Sequence, residues 1–174
     1  LIACLALAIS IWVSRRQARL ELEALRLQRD SDIAGWSNRA INSLCEAEMV
    51  LRREFRANSP KSDYELKRLS IMAALSACVD EGRLYFPNVE NDKYGLHKES
   101  AYRGFRHAAL DQLVHAYDLL KESTYEDARE LDGEMEVGFK ARRKQVTDWK
   151  REYVSLVQSE IDPKRRVYFL GRRK

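Results

Sequence analysis

The chain has 174 residues, 45% of them hydrophobic and 33% charged, enough for one domain with a real core after an apolar start. Seven Gly and three Pro leave few breaks and point to an all-α chain, and three cysteines without pair spacing (Cys4, Cys45, Cys78) exclude a disulfide framework in favour of reduced, buried thiols of a cytosolic compartment. The net charge of +4 is mild but unevenly placed, with basic clusters just after the amino-terminal run and at the carboxyl end, where they suit anionic lipid or nucleic acid.

Leu1–Ser14 (LIACLALAISIWVS) carries no charge and is followed at once by Arg15, Arg16 and Arg19. At ~1.5 Å per residue the run reaches roughly 21 Å, short of a bilayer core of ~30 Å. Because the sequence opens on Leu rather than Met, the expectation is the cytoplasmic-side part of a longer transmembrane helix, truncated upstream. Trp12 suits the interface, and the arginines would hold the following domain on the cytoplasmic side of the inner membrane, single-pass, with the amino terminus outside. Residues 1–16 are thus read as anchor, 17–30 as a juxtamembrane helix, 31–162 as a bundle of about four helices, and 163–174 as a basic and aromatic tail.

In the first bundle helix Ile33, Trp36, Ala40, Leu44, Ala47, Leu51 and Phe55 recur at three- and four-residue spacings. Asp30, Ser31 and Asp32 suit a cap or kink before it, and Leu20–Leu27 could pack against copies of itself. Ala57–Ser62 (ANSPKS) reads as a turn. A second helix follows over 63–81 with Leu66, Leu69, Met72, Leu75 and Val79 on one side and Ile71 and Cys78 widening it, an apolar face wide enough to imply a central place, and it stops at Gly82. The next stretch, Arg83, Leu84, Tyr85, Phe86, Pro87 and Asn88, places aromatics before a proline. It is read either as a lid on the core or as a loop for a neighbouring subunit or partner.

A third helix is expected over 98–121 with Tyr102, Phe105, Ala109, Leu113, Ala116 and Leu120 inward. Its other side would line up Arg103, His107, Asp111 and His115 as a polar face. The two histidines would lie about two turns apart, roughly 12 Å, too far to share one ion, so neither metal nor cofactor is expected. Ser123 with Glu126 forms a capping box for a fourth helix running to Ile161 and bending at Gly133 or Gly138. The tail, Lys164–Lys174, sets apolar residues between basic triplets. Its Arg165, Arg166, Tyr168 and Phe169 would lie on a membrane surface, cover a subunit or stack on RNA.

In size and layout, an amino-terminal membrane helix before a compact helical domain with an Arg- and His-bearing helix, the chain resembles the small membrane accessory proteins of type VI-B CRISPR systems. The resemblance implies a HEPN-like fold and a homo-oligomeric ring that forms a membrane pore in RNA-guided antiphage defence. HEPN nucleases carry Arg, four to six residues, then His. Here Arg103 and His107 enclose three residues and Arg106 and His115 eight, which argues against RNA cleavage and for no catalytic residue. Three readings result: a membrane-anchored homo-oligomer that forms a pore or perturbs the membrane, beside an RNA-guided effector; a membrane-tethered HEPN-like RNA-binding or ribonuclease effector; and a non-catalytic membrane scaffold.

Overall fold

In a computed structural model the chain is all-helical. The structure describes residues 2–89, 94–123, 125 and 133–162. Among these are α1 (Ile2–Val50), α2 (Arg53–Asn58), α3 (Lys61–Tyr85), α4 (Ala108–Glu122) and α5 (Gly133–Ile161), with a 3-10 turn at Ser100–Tyr102. The chain divides into two compact units, residues 1–35 and 36–174.

In the first unit α1 runs without the break expected at Asp30–Asp32. Residues 17–29 are nearly all Ala, Leu, Arg, Glu and Gln, strong helix formers, and Gln28 Nε2 donates to Asp32 Oδ1 at 3.0 Å across one turn. No described helix is long and apolar enough to cross a membrane. The uncharged part of α1 ends at Ser14, and Arg15, Arg16 and Arg19 follow at once, each expensive in hydrocarbon. The transmembrane anchor, the membrane pore and the single-pass inner-membrane location are therefore corrected. Trp12, expected at a membrane interface, lies instead under a cation, with the Arg16 guanidinium 5.3 Å from its ring. The tail residues Arg165, Arg166, Tyr168 and Phe169 lie outside the described residues.

In the second unit Trp36, Ala40, Leu44, Ala47 and Leu51 are buried, as their spacing requires of one helix face. Trp36 sits at the centre, wholly buried, with ring centroids of Tyr85, Phe86 and Tyr153 at 6.0, 5.4 and 5.8 Å and its Nε1 donating to the Cys78 carbonyl at 2.8 Å. α4 packs against both α3 and α5, and α3 packs against α1 as well as α4. The face that α3 buries is Tyr64, Ile71, Met72, Leu75, Cys78, Val79 and Gly82, while Leu66 and Leu69 are exposed. Gly82 does not stop the helix, which continues to Tyr85. A Cβ there would lie 2.4 Å from Leu110 Cδ2 and 2.5 Å from Trp36 Cζ2, so the missing side chain is what lets α1, α3 and α4 meet.

Polar contacts fix the helix ends. Arg68 grips Glu65 through Nε and Nη2 at 3.0 and 2.6 Å, while its Nη1 donates to the Leu120 carbonyl at 3.0 Å, satisfying the last turn of α4. Arg56, buried, holds its guanidinium 3.4 Å from the Phe139 ring centroid. Cys78 is free and buried, and burial pushes its thiol up, whereas Cys45, expected buried, is exposed. Of the expected capping box, Ser123 closes α4 by donating from Oγ to Leu119 O at 2.7 Å; Glu126 lies outside the described residues. α5 continues through Gly138 without interruption.

Between α1 and α5, Lys150 Nζ lies 2.7 Å from Glu48 Oε2, with both side chains mostly buried. That hydrogen bond holds the Glu48 carboxyl below its ordinary value of 4.5 and raises Lys150 above its ordinary 10.5. A depressed carboxylate adds stability above its unfolded pKa and loses it as pH falls through the folded value. Glu48→Gln should therefore cost about 1–2 kcal/mol at neutral pH. In urea titrations across acid pH, that difference should shrink towards zero as pH drops below the ordinary glutamate value. A difference that stays constant down to strong acid would show that the loss does not come from the ionised carboxylate.

Candidate functional site

Residues 98–107, expected to open the third helix, belong instead to a folded loop over 94–107. Two glycines account for it, since Gly95 and Gly104 adopt φ of +76° and +78°, the left-handed region that L side chains rarely enter. Val89 and Phe105 form an antiparallel bridge with both backbone hydrogen bonds at 2.9 Å, and Gly104 N donates to Tyr94 O at 3.1 Å. Arg103 Nε donates to Lys98 O at 2.9 Å and closes the loop on itself. Tyr102 and Phe105, expected in the core, are exposed for this reason.

The loop and the ends of α3 and α4 line a half-open cavity of about 680 Å³. Arg83 and Asn88 enter from the end of α3, Tyr94, His97, Lys98, Glu99, Tyr102 and Phe105 from the loop, and Arg106 and Asp111 from the start of α4. Tyr94 and Phe105 stack with centroids 5.0 Å apart and planes 14° from parallel, and Lys98 Nζ lies 5.6 Å over the Tyr94 ring. Arg83 lies 4.4 Å over the Tyr102 ring and donates from Nη1 to Asn88 Oδ1 at 3.2 Å, with Asp80 Oδ1 3.7 Å from its Nε. Arg106 Nη1 bonds Asp111 Oδ1 at 2.9 Å. The walls thus carry three cations against two carboxylates, with planar rings that a flat ligand can stack on.

The polar row expected on one helix face is split by the loop. Arg103 ties the loop; His107 precedes α4 as its amino-terminal cap, its Nδ1 accepting from Ala109 N at 3.2 Å. The same imidazole stacks on Phe86 at 4.8 Å, and its Nε2 is 3.9 Å from Glu160 Oε1. Asp111 joins the cavity, and His115, exposed, tilts against Trp149 at 5.5 Å. Of the segment 83–88, Arg83, Leu84 and Tyr85 belong to α3, with Leu84 exposed. Phe86 is buried against Trp36, and Pro87 and Asn88 lead out towards the bridge at Val89. Arg83, Asn88 and Asp111, drawn from two separate sequence candidates, share one cavity wall. Tyr94, His97, Lys98, Glu99 and Arg106 lie off the expected helical stripe, while Tyr102 and Phe105 sit on it, at positions expected in the core. The signal in the sequence is basic and aromatic residues clustered around Gly95 and Gly104.

Among the described residues no group of three or more His, Cys, Asp or Glu could hold a metal ion. Fold and site together define a helical-bundle domain with a cationic and aromatic pocket. No protein-family model, curated protein or solved structure matches the chain.

Proposed function

We propose that the second unit is a binding module for single-stranded RNA, with the cavity taking one nucleotide of the strand. The observation that carries the reading is the pairing, in one cavity, of cations with stackable rings: Lys98 with Tyr94 and Phe105, and Arg83 with Tyr102. A base stacks on an aromatic face whatever its identity, and the neighbouring cations meet the phosphate. The volume lies within the ~300–1,000 Å³ usual for small-ligand sites. Arg103 and His107 hold the loop and cap α4, which supports binding rather than cleavage.

The test is a titration of the full chain with a short fluorescent single-stranded RNA at low and moderate salt. Affinity should fall steeply with salt, as phosphate contacts require. Tyr94→Ala should lose ~1–3 kcal/mol of binding, roughly five- to 150-fold, with helical content unchanged. Absence of binding at low salt, or a Tyr94→Ala variant that binds like the parent, would sink the proposal.

A further inference from the structure

The first unit carries exposed apolar side chains that its own helix cannot cover. Val13, Leu20 and Leu27 are 40, 56 and 71% exposed, and Ile11, Leu22 and Leu25 are exposed as well. At 100° per residue these six fall on two opposite sides of α1. The two sides differ in what accompanies them. One is the series Ser10, Val13, Gln17, Leu20, Ala24, Leu27, Ser31 and Ala34, which alternates steps of three and four and contains no charge. The other is Ile11, Arg15, Ala18, Leu22, Leu25, Arg29 and Asp32, which is interrupted by three charges. Only the first is a continuous seam, and it extends for more than three heptads.

We infer that this seam is the contact with a second copy of the chain, the two helices lying parallel and in register as a two-stranded coiled coil. Charge chooses the occupant and the direction. With Val13, Leu20 and Leu27 at the d positions, Arg16 and Glu21 occupy the g and e positions that flank the seam. In a parallel pair Arg16 of each copy faces Glu21 of the other, which makes two attractive contacts, and the next such pair is Glu23 with Gln28, with no like charges opposed. Gln17, the long polar residue of the seam, then meets Gln17 of the second copy and can exchange hydrogen bonds with it. An antiparallel pair would set Gln17 against a leucine and leave its amide without a partner. Arg16, which rests on Trp12 at 5.3 Å in the single chain, has the reach to turn to the new partner.

The experiment is the mass of the full chain in solution by light scattering and sedimentation over a range of concentrations. The parent should reach twice the chain mass. Leu20→Lys with Leu27→Lys should return it to a monomer, and Leu22→Lys with Leu25→Lys, on the charged side, should leave the dimer intact. Arg16→Glu should weaken dimerisation about tenfold by opposing two pairs of glutamates, and adding Glu21→Arg should restore it. The swap reads register directly, and it decides the matter if the lysine variants lose helical content. A monomeric parent, dissociation by the Leu22 and Leu25 changes, or failure of the swap to restore the dimer would overturn the inference.

Discussion

Trp36→Ala should cost about 3–5 kcal/mol of folding free energy, the largest loss expected of any single change in the chain. The indole is wholly buried and packs against two other helices, with Tyr85 and Gly82 of α3, Phe86 just beyond it, and Tyr153 of α5 around it. Truncation leaves a void among rigid rings, and rings cannot collapse into it as aliphatic chains can. It also removes the donor at 2.8 Å from the Cys78 carbonyl, which ties α1 to α3. Against a domain stability of ~5–15 kcal/mol the loss is a large share. Equilibrium urea unfolding of the variant would show it as a lower midpoint at similar slope. Trp36→Phe, which keeps most of the volume, should lose less than half as much. A loss below about 1 kcal/mol for the alanine variant would mean that the ring cluster is not the keystone of the bundle.

Gly82→Ala should destabilise where the helix rule predicts the reverse. An exposed glycine inside a helix usually gains up to ~1 kcal/mol on becoming alanine. Here the added methyl would lie 2.4 Å from Leu110 Cδ2 and 2.5 Å from Trp36 Cζ2. The leucine tip can swing aside, but the indole is pinned by its hydrogen bond and by Phe86 and Tyr153, so α3 must move. The expected net loss is about 1–3 kcal/mol. Combining Gly82→Ala with Leu110→Ala should cost less than the sum of the two single changes, because the second removes one of the two collisions. A Gly82→Ala chain as stable as its parent, or more so, would show that the helices are not held this closely.

Residues near these two positions show how far the sequence reads. The series from Trp36 to Leu51 repeats at three and four residues, and the structure buries that face because an amphipathic helix has one way to hide it. The same rule placed most of the face of α3, since Ile71, Met72, Leu75, Cys78 and Val79 are buried. Leu66 and Leu69 sit at helical spacing yet are exposed, because the neighbouring helices cover the side that carries Tyr64, Ile71 and Cys78 and leave the far edge of the wide apolar face open. Gly82 illustrates a limit of another kind: a glycine late in a helix reads as a stop, whereas its role is set by an indole 46 residues earlier and a leucine 28 residues later.

The cavity was hidden for a related reason. Tyr102, Phe105 and Ala109 are spaced as one side of a helix, so a single element from Lys98 seemed complete. The left-handed Gly95 and Gly104 and the bridge to Val89 break it into a loop, and a bridge is a contact across 16 residues that no local pattern announces. Asp111 with Arg106, and Arg83 with Asn88, could each be guessed as neighbours in sequence, but not that they share a wall.

By itself the sequence determined what local physics controls: an all-helical chain, the face of α1 that enters the core, and the uncharged seam from Ser10 to Ala34, while the turn read over Ala57–Ser62 narrows to Ser59 and Pro60 between α2 and α3. It also determined the apolarity of Leu1–Ser14, whereas no described helix is long and apolar enough to cross a membrane. Only the tertiary structure decided which α3 stripe is buried, why Gly82 has no side chain, and where cations and rings from three segments converge. Those are properties of separate segments brought together, and no periodicity within one segment encodes them.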